Sequence, residues 1–117
     1  MLRIGLNPYG LTYHLGLQGM GTPRANPAGR GLEGFIAIAT ELKAEVIEIF
    51  DPWLRALDDD VLRALKDRLD SLGMVPVVSA GLNMMGPMES AFRSARALGA
   101  GVIRLGLSPV LCGARAE

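Results

Sequence analysis

Apolar residues along this chain recur with two alternating periods, one near two residues and one near 3.6. Arg3 to Leu6 is a short strand-like run closed by Asn7-Pro8, since a residue before proline avoids helix and proline cannot donate to a ladder. Tyr9 to Arg30 follows neither period and holds Gly10, Gly16, Gly19, Gly21 and Gly29 with Pro23 and Pro27. A loop of that length is ordinarily functional or disordered. From Leu32 the spacing becomes helical, with Leu32, Phe35, Ile36, Ala39 and Leu42 on one apolar face and Glu33, Glu41 and Lys43 off it. A second strand, Val46 to Phe50, follows and is ended by Asp51-Pro52.

Asp58-Asp59-Asp60 opens the next helix, where carboxylates suit the unpaired N–H groups and the positive end of the helix dipole. Val61, Leu62, Leu65, Leu69 and Leu72 form its expected buried stripe, and Gly73 ends it. Val75 to Ala80 is a third strand, with Pro76 near its start. Gly86-Pro87 starts a third helix, whose apolar face is Met88, Ala91, Phe92, Ala95 and Leu98, and Val102 to Leu105 is a fourth strand. The order is β-α-β-α-β-α-β. Helices that run straight into strands force parallel pairing through right-handed crossovers, so the class is α/β.

Composition narrows the partners. Twelve basic and twelve acidic side chains cancel, which gives no field to recruit nucleic acid or an anionic membrane. A single cysteine, Cys112, excludes an internal disulfide and any cysteine-based metal cluster. No apolar run reaches the roughly 18 residues that span a bilayer. The chain enters its first strand without a charged-then-apolar leader, so the expected location is cytoplasmic.

Two α/β architectures compete. Gly29-Arg30-Gly31-Leu32-Glu33-Gly34 fits the dinucleotide-binding G-x-G-x-x-G of a doubly wound sheet, with Asp51 near the place of a ribose-binding acid. The motif must leave its strand directly, however, and 21 residues separate Asn7 from Gly29. A (β/α)8 barrel accounts better for Glu48, a carboxylate inside Val46-Ile47-Glu48-Ile49-Phe50. Both faces of an open sheet lie under apolar helices, whereas the inner face of a barrel accepts polar groups near its mouth. Arg104, inside the fourth strand, is the matching feature. Interior layers of barrels take side chains from alternate strands, so Glu48 and Arg104 are expected to face inward and to pair or hold a ligand between them.

Four phrases carry a family resemblance: Gly5-Leu6-Asn7 before a long loop, Ala44-Glu45-Val46-Ile47-Glu48-Ile49, Leu72-Gly73-Met74-Val75-Pro76-Val77-Val78, and Ala97-Leu98-Gly99-Ala100-Gly101-Val102-Ile103-Arg104. Together they resemble the N-terminal half of the xylose-isomerase-like sugar phosphate isomerase/epimerase family. Lys43-Ala44 departs from the pattern, which usually has glycine before the second strand. The resemblance implies a partial (β/α)8 barrel over residues 1–117. It implies proton transfer between carbons of a ketose, aldose or polyol, and a divalent metal (Mn, Mg, Zn or Co). That metal's ligands come from later strands and are missing here, so the chain alone is expected to be inactive. The missing half is either a C-terminal continuation, which makes this chain a fragment, or a second copy in a homodimer. A non-catalytic half-barrel or sugar-binding remnant is the alternative. The DNA-cleaving, zinc-dependent member of the fold is disfavoured by the absence of a basic stripe.

Barrel sites sit on the loops after the strands, which selects candidates by position. After the first strand come Asn7, Tyr9, Tyr13 and His14, and His14 could touch substrate or relay a proton, or be a surface histidine without a role. Asp51 and Trp53 follow the second strand as an acid for hydroxyls and an indole for a sugar face, or as a turn former and a packing residue. Ser79 and Asn83 follow or end the third, and Arg104 and Ser108 the fourth, where a phosphate or carboxylate could bind. Glu48 and His14 are the two tentative catalytic residues. Met84, Met85 and Met88 read as core filling, and Arg24 and Arg30 as solvated loop residues.

Overall fold

Four strands form one all-parallel sheet in the order β1-β2-β3-β4: β1 (Gly5–Leu6), β2 (Val46–Phe50), β3 (Val75–Gly81) and β4 (Ile103–Gly106). The structure, a computed structural model, describes residues 2–81 and 88–106. Among those residues a 3-10 helix spans Pro8–Leu11, and the α-helices are α1 (Thr12–Leu15), α2 (Gly31–Glu41), α3 (Asp51–Leu54), α4 (Asp59–Ser71) and α5 (Met88–Leu98). The α/β class and the parallel pairing expected from the helix–strand alternation are both observed. Spatial order follows chain order, so the described sheet has no reversal point of the kind at which doubly wound folds bind nucleotides.

Alternation along the strands separates two faces. Ile47 and Ile49 of β2 and Val78 and Ala80 of β3 join one core with Phe35 and Ile36 of α2, Leu62 and Leu69 of α4, and Ala91 and Leu98 of α5. All three long helices therefore lie over the same side of the sheet. Burying each isoleucine side chain is worth about 1.5–3 kcal/mol. The register sets Glu48 beside Val77, and Ser79 beside Arg104, on the side the long helices leave uncovered.

The helix faces read from spacing need correction at their ends and flanks. Leu42 and Leu72 were expected in buried stripes but are exposed, because each is the C-cap of its helix and lies past the last packed turn. Val61 and Phe92 are also exposed, since α4 and α5 turn Leu62 and Ala91 inward instead. The stretch after Asn7, expected without regular structure, holds the 3-10 helix and α1. Asp51-Pro52 does end β2, but as the first turn of α3. Asp58 caps α4 as expected, its Oδ1 accepting the Val61 N–H at 2.9 Å. Asn83, the Gly86-Pro87 helix start, Met84, Met85, Ser108 and Cys112 lie outside the described residues.

Each of the three long helices turns into its strand through a residue in the left-handed region. Gly73 (φ 71°) follows α4 and Gly99 (φ 68°) follows α5, but Lys43 (φ 55°) fills the same slot after α2. A side chain there sets Cβ against the following carbonyl, at about 1–2 kcal/mol. Glycine also loses more chain entropy on folding. Lys43→Gly is therefore expected to stabilise the fold by about 0.5–1 kcal/mol, read as a higher urea midpoint at unchanged slope.

Candidate functional site

On the uncovered face, β2, β3 and β4 each contribute one polar side chain: Glu48, Ser79 and Arg104. Tyr9 reaches them from the 3-10 helix that follows β1. Its position starts with Asn7, the cap of that helix, whose Oδ1 accepts the Tyr9 N–H at 3.1 Å. Pro8 supplies the first helical position, where a missing N–H costs nothing. The hydroxyls of Tyr9 and Ser79 then share a hydrogen bond at 3.3 Å. The guanidinium carbon of Arg104 lies 4.9 Å from the Tyr9 ring centroid, within cation–π range.

Glu48 and Arg104 meet as anticipated. Arg104 Nη1 lies 3.7 Å from Glu48 Oε2, an ion pair too long for a hydrogen bond. The two ends differ sharply in exposure: the Glu48 side chain is 13% exposed and that of Arg104 is 55% exposed. Glu48 Oε2 is buried and has no hydrogen-bond partner among the described residues. Buried carboxylate oxygens are rarely left so, because desolvation without a partner is costly. Ser79, 1% exposed, is closed over by its neighbours.

Four expected site residues, Tyr9, Glu48, Ser79 and Arg104, are thus brought together, and Asn7 acts on them through the backbone of Tyr9. The others are placed elsewhere. Asp51 is buried on the helix side, its Oδ1 accepting from Ser94 Oγ at 2.9 Å and Ser90 Oγ at 3.3 Å, and its Oδ2 from Arg55 Nη2 at 3.0 Å. Its lone pairs serve the joint between α3 and α5. Trp53 packs its indole against Phe35 at 5.9 Å and Phe50 at 6.3 Å, edge-on to the latter. His14 is exposed on α1, and among the described residues its side chain makes no hydrogen bond or ion pair; its carbonyl accepts from the Arg30 N–H. Tyr13 is likewise exposed.

The serine partners of Asp51 were missed by the sequence reading. Ser90 and Ser94 stand four apart on the Ala91–Ala95 side of α5, and two hydroxyls on an apolar helix face are the signal that a buried acceptor lies opposite. Gly29, first glycine of the apparent nucleotide motif, serves the loop itself. A Cβ there would sit 2.5 Å from Gly16 Cα, so the glycine permits two loop segments to touch.

A divalent metal does not fit the described residues. No group of three His, Cys, Asp or Glu side chains converges among them, and the charged group that Glu48 meets is a cation. No described helix is long and apolar enough to cross a membrane. Compared with known proteins, the chain matches no family model, no curated protein and no solved structure.

Proposed function

We propose that this chain is the N-terminal half of a (β/α)8 barrel of the xylose-isomerase-like isomerase/epimerase class, and that its uncovered sheet face is a wall of the sugar pocket. One observation carries the proposal. Parallel strands in chain order, with the three long helices on one side, leave Glu48 of β2 and Arg104 of β4 together on the other. Alternate strands supplying one interior layer is the packing rule of barrels. Tyr9 joins the cluster from the loop after β1, which is the mouth side of a barrel. In this proposal the pocket wall binds and orients substrate, while the metal and the proton-transferring groups belong to strands outside this chain. Location in the cytoplasm is part of the same proposal.

A second reading, a sugar-binding half-barrel without catalysis, rests on the same polar wall, which can hold a ligand without the groups that move a proton. Assays separate the two. The purified chain, alone and co-expressed with the polypeptide encoded directly after Glu117, is tested for aldose–ketose interconversion and for epimerisation at the carbon beside the carbonyl. Turnover by the pair and none by the chain alone is expected. A soluble, folded pair that turns over no ketose or aldose would overturn the enzyme. Sedimentation of the chain alone tests the homodimer, in which a second copy pairs its β1 with β4 to close the barrel.

A further inference from the structure

Among the described residues Arg104 is held on two sides and its donors are largely unspent. The Tyr9 ring lies against the guanidinium, its centroid 4.9 Å from the central carbon, and one fork nitrogen, Nη1, stands 3.7 Å from the Glu48 carboxylate. A guanidinium offers five N–H groups in a planar fork, yet among the described residues this one makes no hydrogen bond shorter than that ionic contact. More than half of the side chain is accessible. Tyr9, which braces it, is itself fixed at both ends, by the Asn7 cap on its backbone and by Ser79 on its hydroxyl. A half-exposed fork, braced by a ring and a carboxylate and set beside two hydroxyls, is organised to receive planar oxygen acceptors.

We infer that Arg104 binds the carboxylate of a small hydroxy acid, with the Tyr9 hydroxyl set to meet the ligand's own hydroxyl. The inference rests on the proposal that this face meets the ligand, but not on any isomerase chemistry. Charge decides among ligand classes. A neutral polyol offers the fork single hydroxyl acceptors, without the charge or the planar two-oxygen geometry that a guanidinium matches. A phosphate monoester carries about −1.5 to −2 at pH 7, and all of it would lie close to the Glu48 carboxylate. A carboxylate brings a single negative charge and matches the fork in two parallel N–H···O bonds. Glu48 therefore has two effects: it holds Arg104 in place, and it selects against more highly charged anions.

The test is an NMR titration of the chain with glycerate, inorganic phosphate and glycerol, following the Arg104 Nε–H signal, assigned by its loss in Arg104→Gln. Glycerate is expected to move that signal saturably, phosphate more weakly, and glycerol not at all. Read on the backbone amide signals of the neighbouring Ile103 and Leu105, Arg104→Gln should weaken glycerate binding by about tenfold or more, and Arg104→Lys, which keeps the charge without the fork, by less. Glu48→Gln supplies a readout that simple loss of structure would not produce, since phosphate should gain on glycerate once the carboxylate is gone. Circular dichroism confirms that each variant is folded. The inference is overturned if no probe moves the Arg104 signal, if glycerol moves it as glycerate does, or if the unaltered chain binds phosphate more tightly. Glycerate binding by the chain, with no turnover by the soluble, folded pair, would sink the proposed enzyme and leave this site standing.

Discussion

Asp51→Ala is expected to lower the unfolding free energy by about 3 kcal/mol, in the range found when one partner of a buried charged pair is removed. The carboxylate is 1% exposed and accepts from three side chains, so alanine leaves two serine hydroxyls and a guanidinium facing a void. Arg55 is about one-third exposed and can turn to water, which keeps the loss at the lower end of that range. The cost falls mainly on Ser94, fully buried on α5. Asp51→Asn keeps an acceptor for the serines and should cost about 1–2 kcal/mol, the difference between a charged and a neutral hydrogen bond to Arg55. Urea unfolding at constant slope measures both. An alanine variant within about 1 kcal/mol of the parent would mean that water fills the gap and that the α3–α5 joint does not depend on this group.

Asp51 shows why the site was only partly legible. A carboxylate directly after a strand reads equally as a ligand group or as an anchor, because position along the chain does not reveal which helix lies opposite. Its partners sit 39 and 43 residues away, and only the docking of α5 decides their role. Trp53 posed the same ambiguity, resolved by two aromatic neighbours, one of them on α2. Glu48 and Arg104 were legible for the opposite reason. Charged groups inside β-branched runs are costly unless they share a polar face, so strand periodicity, joined to the barrel rule that alternate strands supply one interior layer, predicted their meeting. The bracing by Tyr9 was not legible, since nothing in the sequence announces that Asn7-Pro8 launches a 3-10 helix across the sheet.

The fold followed the same division. β2 matches its predicted limits, and β3 and β4 extend or shift by a residue, because period-two runs bounded by Gly, Pro and Asp leave little freedom. Errors gathered at helix ends and flanks, at Leu42, Val61, Leu72 and Phe92, where the apolar stripe is wider than the surface available to bury it. Lys43 is a related case. The helix needs a left-handed residue to turn into β2, and the chain supplies one without the glycine that would announce it.

Phe35→Ala should be the most destabilising single change on the helix side, by about 3–5 kcal/mol. Its ring is fully buried between α2 and the sheet, so truncation opens a cavity that neighbours on two layers cannot both move to fill. It also ends the contact with Trp53, and buried aromatic pairs add about 0.5–1.5 kcal/mol beyond their area. Phe35→Leu keeps most of the volume and should cost less than half as much. Trp53 is the sole tryptophan, so its fluorescence reports the change directly: emission should shift to longer wavelength in Phe35→Ala before any denaturant is added. Arg104 and Glu48 lie across the sheet from this cavity, with β2 and β3 between. Under conditions where the variant remains folded, its affinity for glycerate should equal that of the parent chain. Loss of both together would show that the uncovered face is held in shape by the helix layer rather than by its own Asn7–Tyr9–Ser79 brace.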